Sequence, residues 1–211
     1  MPMIIAGQVG PVGSKYGDGQ QGIARQGAQG DLAVSELHGR YYEGTYRKGR
    51  YNAASQAGGT TSAAFATTYV GIMLENPVGS TVNLVLEKIG YAFLVAFAAA
   101  AAIGICIGYN SSTNCTHTAA ATVRSNFVGV GAAGQGLVDT SATLPTAPTA
   151  SHILATGLTG AITTEEAVSG EVVDLEGSIV LPPGAYAGTF TSTASGASSF
   201  WGSVQWEEVA V

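Results

Sequence analysis

Five carboxylates, Glu165, Glu166, Glu171, Asp174 and Glu176, form the densest group of acidic side chains in the sequence. Carboxylates grouped this way could ligate calcium, or act as the acid and base of glycoside hydrolysis. Aromatic residues that would hold a sugar are sparse around them in sequence. Runs of charge are mostly solvated surface, so an acidic face is expected here. Cys115-Thr116-His117 offers two metal-binding side chains, but His38 and His152 are distant and no second ligand pair has zinc spacing. Gly129-Val130-Gly131-Ala132-Ala133-Gly134 reads G-x-G-x-x-G after an apolar run. A dinucleotide loop requires a helix N-terminus beneath the pyrophosphate and an acid about 20 residues further on. Here Gln-Gly-Leu-Val-Asp and a proline-containing stretch follow instead, and with 30 glycines in the chain the pattern arises readily by chance. No serine stands in G-x-S-x-G. The expectation is a protein with no catalytic residue, no cofactor and no metal.

Residues suited to binding are easier to find. Tyr41, Tyr42, Tyr46 and Tyr51 alternate with Arg40, Arg47, Lys48 and Arg50. Tyrosine buries a large area with few rotatable bonds, and arginine forks onto carboxylates, so both are favoured interface anchors. Such a stretch could also stack on single-stranded nucleic acid. The first 50 residues carry six bases and four acids, a net of only +2, which favours a protein partner. The remaining residues hold two bases and ten acids, a net of −8, which argues against nucleic acid as the ligand of the main body. Arg40, Tyr41, Tyr42, Tyr46, Arg47 and Arg50 are therefore the expected partner-binding residues.

The elements around these residues read as β structure. The chain has 211 residues, and only 10% are charged, against about 25% in a typical soluble domain. Eight glycines fall from Gly7 to Gly30, and Gly39, Gly44 and Gly49 recur every five residues. Residues 1–60 are expected to form an extended arm, and 61–211 an all-β, antiparallel, jelly-roll-like sandwich. Around Gly177–Glu208 the signal is strongest. A β-branched run ends at Pro182-Pro183-Gly184; Tyr186, Gly188 and Phe190 alternate with small residues. Phe200, Gly202, Val204 and Trp206 then share one parity. Upstream, strands are expected at Phe65–Leu74, Val82–Ile89, Tyr91–Phe97, Ile103–Tyr109 and Ala121–Val130, with Thr140–Ala150 a linking loop. Ile89–Tyr109 has 21 uncharged residues, long enough to cross a bilayer. Its period-2 sets and interrupting glycines favour two strands, so no membrane span is expected. No leader peptide is recognised at the N-terminus. Cys106 and Cys115 are expected as free thiols.

Glu36-Leu37-His38-Gly39-Arg40-Tyr41-Tyr42-Glu43, the run Thr68–Ser80, Asn83–Leu86 and Leu181–Tyr186 resemble virion proteins of tailed bacteriophages. Over residues 31–211 the chain looks like a capsid cement (decoration) protein of a short-tailed phage. The resemblance implies a β-sandwich homo-oligomer, a trimer by analogy, on the outer surface of the virion, with the major capsid protein as partner and no catalytic residues. A receptor- or carbohydrate-binding module of a fibre or spike is the alternative.

Overall fold

The computed structural model describes residues 39–129, 134–157 and 170–211. The chain divides into two units, Met1–Tyr42 and Glu43–Val211. Of the first, residues 39–42 are described. There the Tyr42 N–H donates to the Gly39 carbonyl at 2.9 Å, and the Arg40 guanidinium lies 5.4 Å from the centre of the Tyr41 ring.

Among the described residues a single turn of helix, α1 (Tyr42–Tyr46), leads into eleven strands: β1 (Arg50–Ala54), β2 (Thr68–Glu75), β3 (Val82–Phe93), β4 (Ala101–Tyr109), β5 (Thr116–Ala121), β6 (Arg124–Ser125), β7 (Leu137–Thr143), β8 (Thr149–Gly157), β9 (Glu171–Leu181), β10 (Ala185–Thr191) and β11 (Phe200–Ala210). They form a five-stranded sheet, β6-β1-β11-β3-β9, and a six-stranded sheet, β5-β7-β2-β10-β4-β8. All pairings are antiparallel.

Setting aside β5, β6 and β7 leaves β1-β11-β3-β9 and β2-β10-β4-β8. First pairs with last, second with second-last, and so inward to β4 with β8. That is the order of a long hairpin rolled into two sheets, the jelly roll. The β5–β7 excursion widens both sheets on one side.

Inside the sandwich the closing strand alternates as its sequence requires. Phe200, Val204 and Trp206 are buried and Trp201 faces out. Trp206 is fully buried and stacks on Tyr51 of β1, with ring centres 6.0 Å apart and planes at 27°. From β3, Leu84, Leu86, Ile89, Tyr91 and Phe93 join the same core. A bulge opposite Gln205/Trp206 puts Ile89 back on the inward parity after Leu86.

At the centre of the six-stranded sheet both faces are buried. Ile72, Leu74, Ile105 and Ala187 enter the main core, whereas Tyr69, Met73, Cys106, Tyr186 and Phe190 form a second cluster on the opposite parity, with Cys115 and Leu144 from connecting segments. Hence every residue of β10 is buried. The alternation in sequence predicts Phe190 in the core with Val204 and Trp206, and Tyr186 packed nearby; Phe190 lies in this second cluster instead, together with Tyr186. The small side chains Ala185 and Ala187 face the interior, where the large aromatics of the other sheet already fill the space.

Several boundaries move. Arg50–Ala54 pair in full with β11, so the sandwich begins before residue 61 and the arm ends earlier than residue 60. The regularly spaced glycines that precede this short strand disguise its alternation. Ala121–Val130 contains, among its described residues, only the last residue of β5 and the two-residue β6. Most of Thr140–Ala150 is strand: β7 runs to Thr143, β8 starts at Thr149, and only the proline-containing link between them is loop. These Ser/Thr/Ala-rich segments lack a bulky face, so pairing with neighbours decides their conformation. The uncharged stretch Ile89–Tyr109 is the end of β3, a connection and β4. Among the described residues no helix is long and apolar enough to cross a membrane. Cys106 and Cys115 are both buried and free.

Truncating Trp206 would open a cavity beneath Tyr51. Trp206→Ala is expected to destabilise the fold by about 3–5 kcal/mol, read as a lower urea midpoint; a change below about 1 kcal/mol would contradict this core assignment.

Candidate functional site

The docking residues read from sequence fall into two groups. Arg40, Tyr42, Tyr46 and Arg47 are exposed, Tyr42 and Tyr46 at 44% and 45%, and Tyr41 is half-buried. Lys48, at a positive φ of 63° that ends the turn after α1, is exposed beside Arg47. Arg50, expected among the exposed anchors, is different. It is only 8% exposed, at the start of β1, and is committed to its own sheet.

The outer face of the five-stranded sheet explains why. Arg50 Nη2 lies 2.6 Å from Glu87 Oε1 and 3.1 Å from Glu207 Oε2. Gln205 Nε2 donates to the other Glu87 oxygen at 2.9 Å. Glu87 is the extra residue of the β3 bulge, and the bulge lets its side chain join the outward row. Gly44 of α1 rests on this group. A Cβ there would stand 2.3 Å from Arg50 Nε and 3.0 Å from Glu207 Oε1, so no larger residue fits without displacement. Tyr46 meets Phe127 edge-on, with ring centres 6.2 Å apart. The backbone of Asn126 donates to the Arg50 carbonyl at 2.9 Å, and its side-chain oxygen accepts from Asn52. The turn 43–49 is thereby seated on the sheet, with the guanidinium as its foundation.

Burial raises the Glu87 pKa above the ordinary glutamate value, with Gln205 and Arg50 partly opposing the rise. Removing the cation would leave this acid buried without compensation.

A second polar group lies under the outer side of the six-stranded sheet. His117, on edge strand β5, sits between two buried acids. Its Nε2 is 3.3 Å from Glu75 Oε2, and its Nδ1 contacts Asp139 Oδ2. Glu75 Oε1 also accepts the backbone N–H of Cys115 at 2.8 Å. Desolvation raises the Glu75 pKa, against the lowering influence of the Cys115 N–H and His117. Burial pushes the Cys115 thiol up, with Glu75 adding to the rise, and burial pushes the Cys106 thiol up to about 12. Both therefore stay protonated and unreactive at neutral pH. Because both imidazole nitrogens face carboxylates, the ring serves to tie β5 to β7 and β2. Among the described residues no group of three or more His, Cys, Asp or Glu side chains is arranged to hold a metal.

Sequence spacing singled out Cys115 and His117 but not Glu75 or Asp139, which come from strands far along the chain. The available signal was Glu75 sharing the parity of Met73 at the end of a strand. Glu165, Glu166 and Val130–Ala133 lie outside the described residues; Glu171, Asp174 and Glu176 are on β9, the edge of the five-stranded sheet.

No family model, curated protein or solved structure matches the chain.

Two outcomes follow from these ion clusters. Arg50→Ala is expected to cost about 3–5 kcal/mol, and Glu87→Gln in the same chain should recover part of the loss. Equal destabilisation in the single and double variants, measured by urea unfolding, would show that Glu87 is not the stranded group. Glu75 is linked to pH with the opposite sign to a salt-bridged acid. Its folded pKa is raised, so its contribution is complete below the ordinary glutamate value of 4.5 and is lost as pH rises through the folded value. Relative to the parent, Glu75→Gln should therefore gain stability between pH 4 and pH 7; a difference that is flat or falls with pH would refute the assignment.

Proposed function

We propose that the chain is a capsid cement (decoration) protein of a short-tailed bacteriophage, bound on the outer surface of the virion. It acts as a structural part and not as an enzyme. Its partners are the major capsid protein and further copies of itself, as a closed homo-oligomer, a trimer by the resemblance in its sequence.

The observation that carries this reading is the contrast within residues 40–50. Arg50 is withdrawn into the sheet and holds α1 in place. Tyr42, Tyr46, Arg47 and Lys48 remain exposed on the turn it anchors. Aromatic and arginine side chains on a pre-ordered element lose little entropy on docking. The rest of the body is acidic and offers few comparable anchors. The jelly-roll order also fits, since that architecture recurs in viral shells, although a fold alone does not fix a function. Self-association has candidate surfaces in the edge strands β8 and β9, where Ile153 and Val180 are exposed. Open edges invite pairing unless something covers them.

The test is quantitative binding of the full-length protein to purified shells lacking it. The threefold variant Arg40→Ala/Tyr42→Ala/Arg47→Ala keeps the Tyr46–Phe127 contact and leaves β1 and the Arg50 cluster in place. It should bind at least tenfold more weakly, the loss expected from about 1.4 kcal/mol, while unfolding at the parent's denaturant midpoint. Unchanged affinity would place the contact elsewhere and overturn the assignment of these anchors.

A further inference from the structure

The outer face of the five-stranded sheet bears a second feature that the docking turn does not use. A trough of about 340 Å³ crosses β3 there, lined by Gly90 and Ala92 of β3, Trp201 and Ser203 of β11, and Glu171 and Val172 of β9. Register sets its shape: Trp201 stands opposite Ala92, Ser203 opposite Gly90, and Gly90 opposite Val172. Small residues form the floor, and Trp201 and Val172 form the walls. Trp201 is 37% exposed and Val172 67%. The absence of a side chain at Gly90 keeps the floor low, since a Cβ there would stand 2.5 Å from Ser203 Oγ and 3.3 Å from Val172 Cγ2. At one end the backbone of Glu171 borders the trough, while its carboxylate turns to the other side of the sheet and accepts a hydrogen bond of 3.0 Å from the Tyr91 hydroxyl.

We infer that this trough is a binding site for a neutral pyranose of a glycan, with Trp201 as the platform. An exposed indole beside a flat floor matches the apolar C–H face of a sugar ring. The Ser203 hydroxyl supplies a donor and an acceptor for its hydroxyl rim. Charge selects within the class. Asp174 and Glu176 lie along β9 beside the trough, and Lys88 is already paired with Asp174 at 3.8 Å. Sialylated and uronic-acid sugars meet like charge there, whereas uncharged sugars do not. This site is independent of the capsid-docking reading: it uses a different part of the sheet and none of the arm residues.

Intrinsic fluorescence gives a direct test on the full-length protein. The chain has two tryptophans; Trp206 is fully buried, so solvent-sensitive emission reports Trp201. Cellohexaose, chitohexaose and maltohexaose serve as neutral probes, and sialyllactose as the acidic control. The expected result is a saturable blue shift with at least one neutral probe and none with sialyllactose. Ala92→Leu, which fills the floor while keeping Trp201, should abolish the shift. Saturation-transfer NMR on the unaltered protein should show contact to ring C–H protons of the bound sugar, so the outcome does not depend on a variant folding. No response to any neutral probe by either method, an equal response to sialyllactose, or a response unchanged in Ala92→Leu would overturn the assignment. So would a shift produced only by a phenylalanine-rich peptide, which would mean that the trough receives a protein side chain.

Discussion

Everything in this molecule hangs on the pairing of its first strand with its last. β1 and β11 lie side by side through five residue pairs, with Tyr51 stacked on Trp206 on the inner side and Arg50 bound to Glu207 on the outer side. Without that pair the rolled hairpin would stay open at its ends. A jelly roll brings residues distant in sequence together late, so the closing contacts must be strong. Here one strand pair supplies both an apolar stack and an ion pair.

The two sheets solve the burial problem differently. The five-stranded sheet has one apolar face, and its outer face carries polar groups, a seated turn and the Trp201 trough. The six-stranded sheet is covered on both sides at its centre, which is why β10 has no exposed residue. The buried acids Glu75 and Asp139 belong to that covered side. An acid taken out of water must be neutralised or paired. The imidazole of His117, half in solvent above both, provides the pairing and fastens an edge strand that has little bulk of its own. A cluster that resembles catalytic machinery in composition thus has a structural task that its geometry accounts for.

How much of this was legible depended on side-chain size. Where large and small residues alternate, as in Phe200–Trp206, strand and facing both followed from the sequence. The jelly-roll class followed as well, because turn signals punctuate nearly every strand. The end of β7 and the start of β8 read as loop because Ser, Thr and Ala give no contrast between faces. Parity told which residues of β10 share a face, but not which sheet side is the interior; that depended on the loops that cover Tyr186 and Phe190. Arg50 was grouped with the anchors by its neighbours in sequence. Its burial comes from Glu87 and Glu207, which no local pattern could bring near. Gly44 looked like a helix breaker, and its reason is the guanidinium beneath it.

The central claim is that residues 40–48 form a docking surface held ready by the Arg50 cluster. Hydrogen–deuterium exchange of the full-length protein, free and bound to purified shells lacking it, tests this most directly. The account requires slow exchange at the β1 amides in both states and a marked gain of protection at residues 40–48 on binding. Bound protein that shows new protection elsewhere on the sandwich, with residues 40–48 exchanging as in the free state, would contradict it.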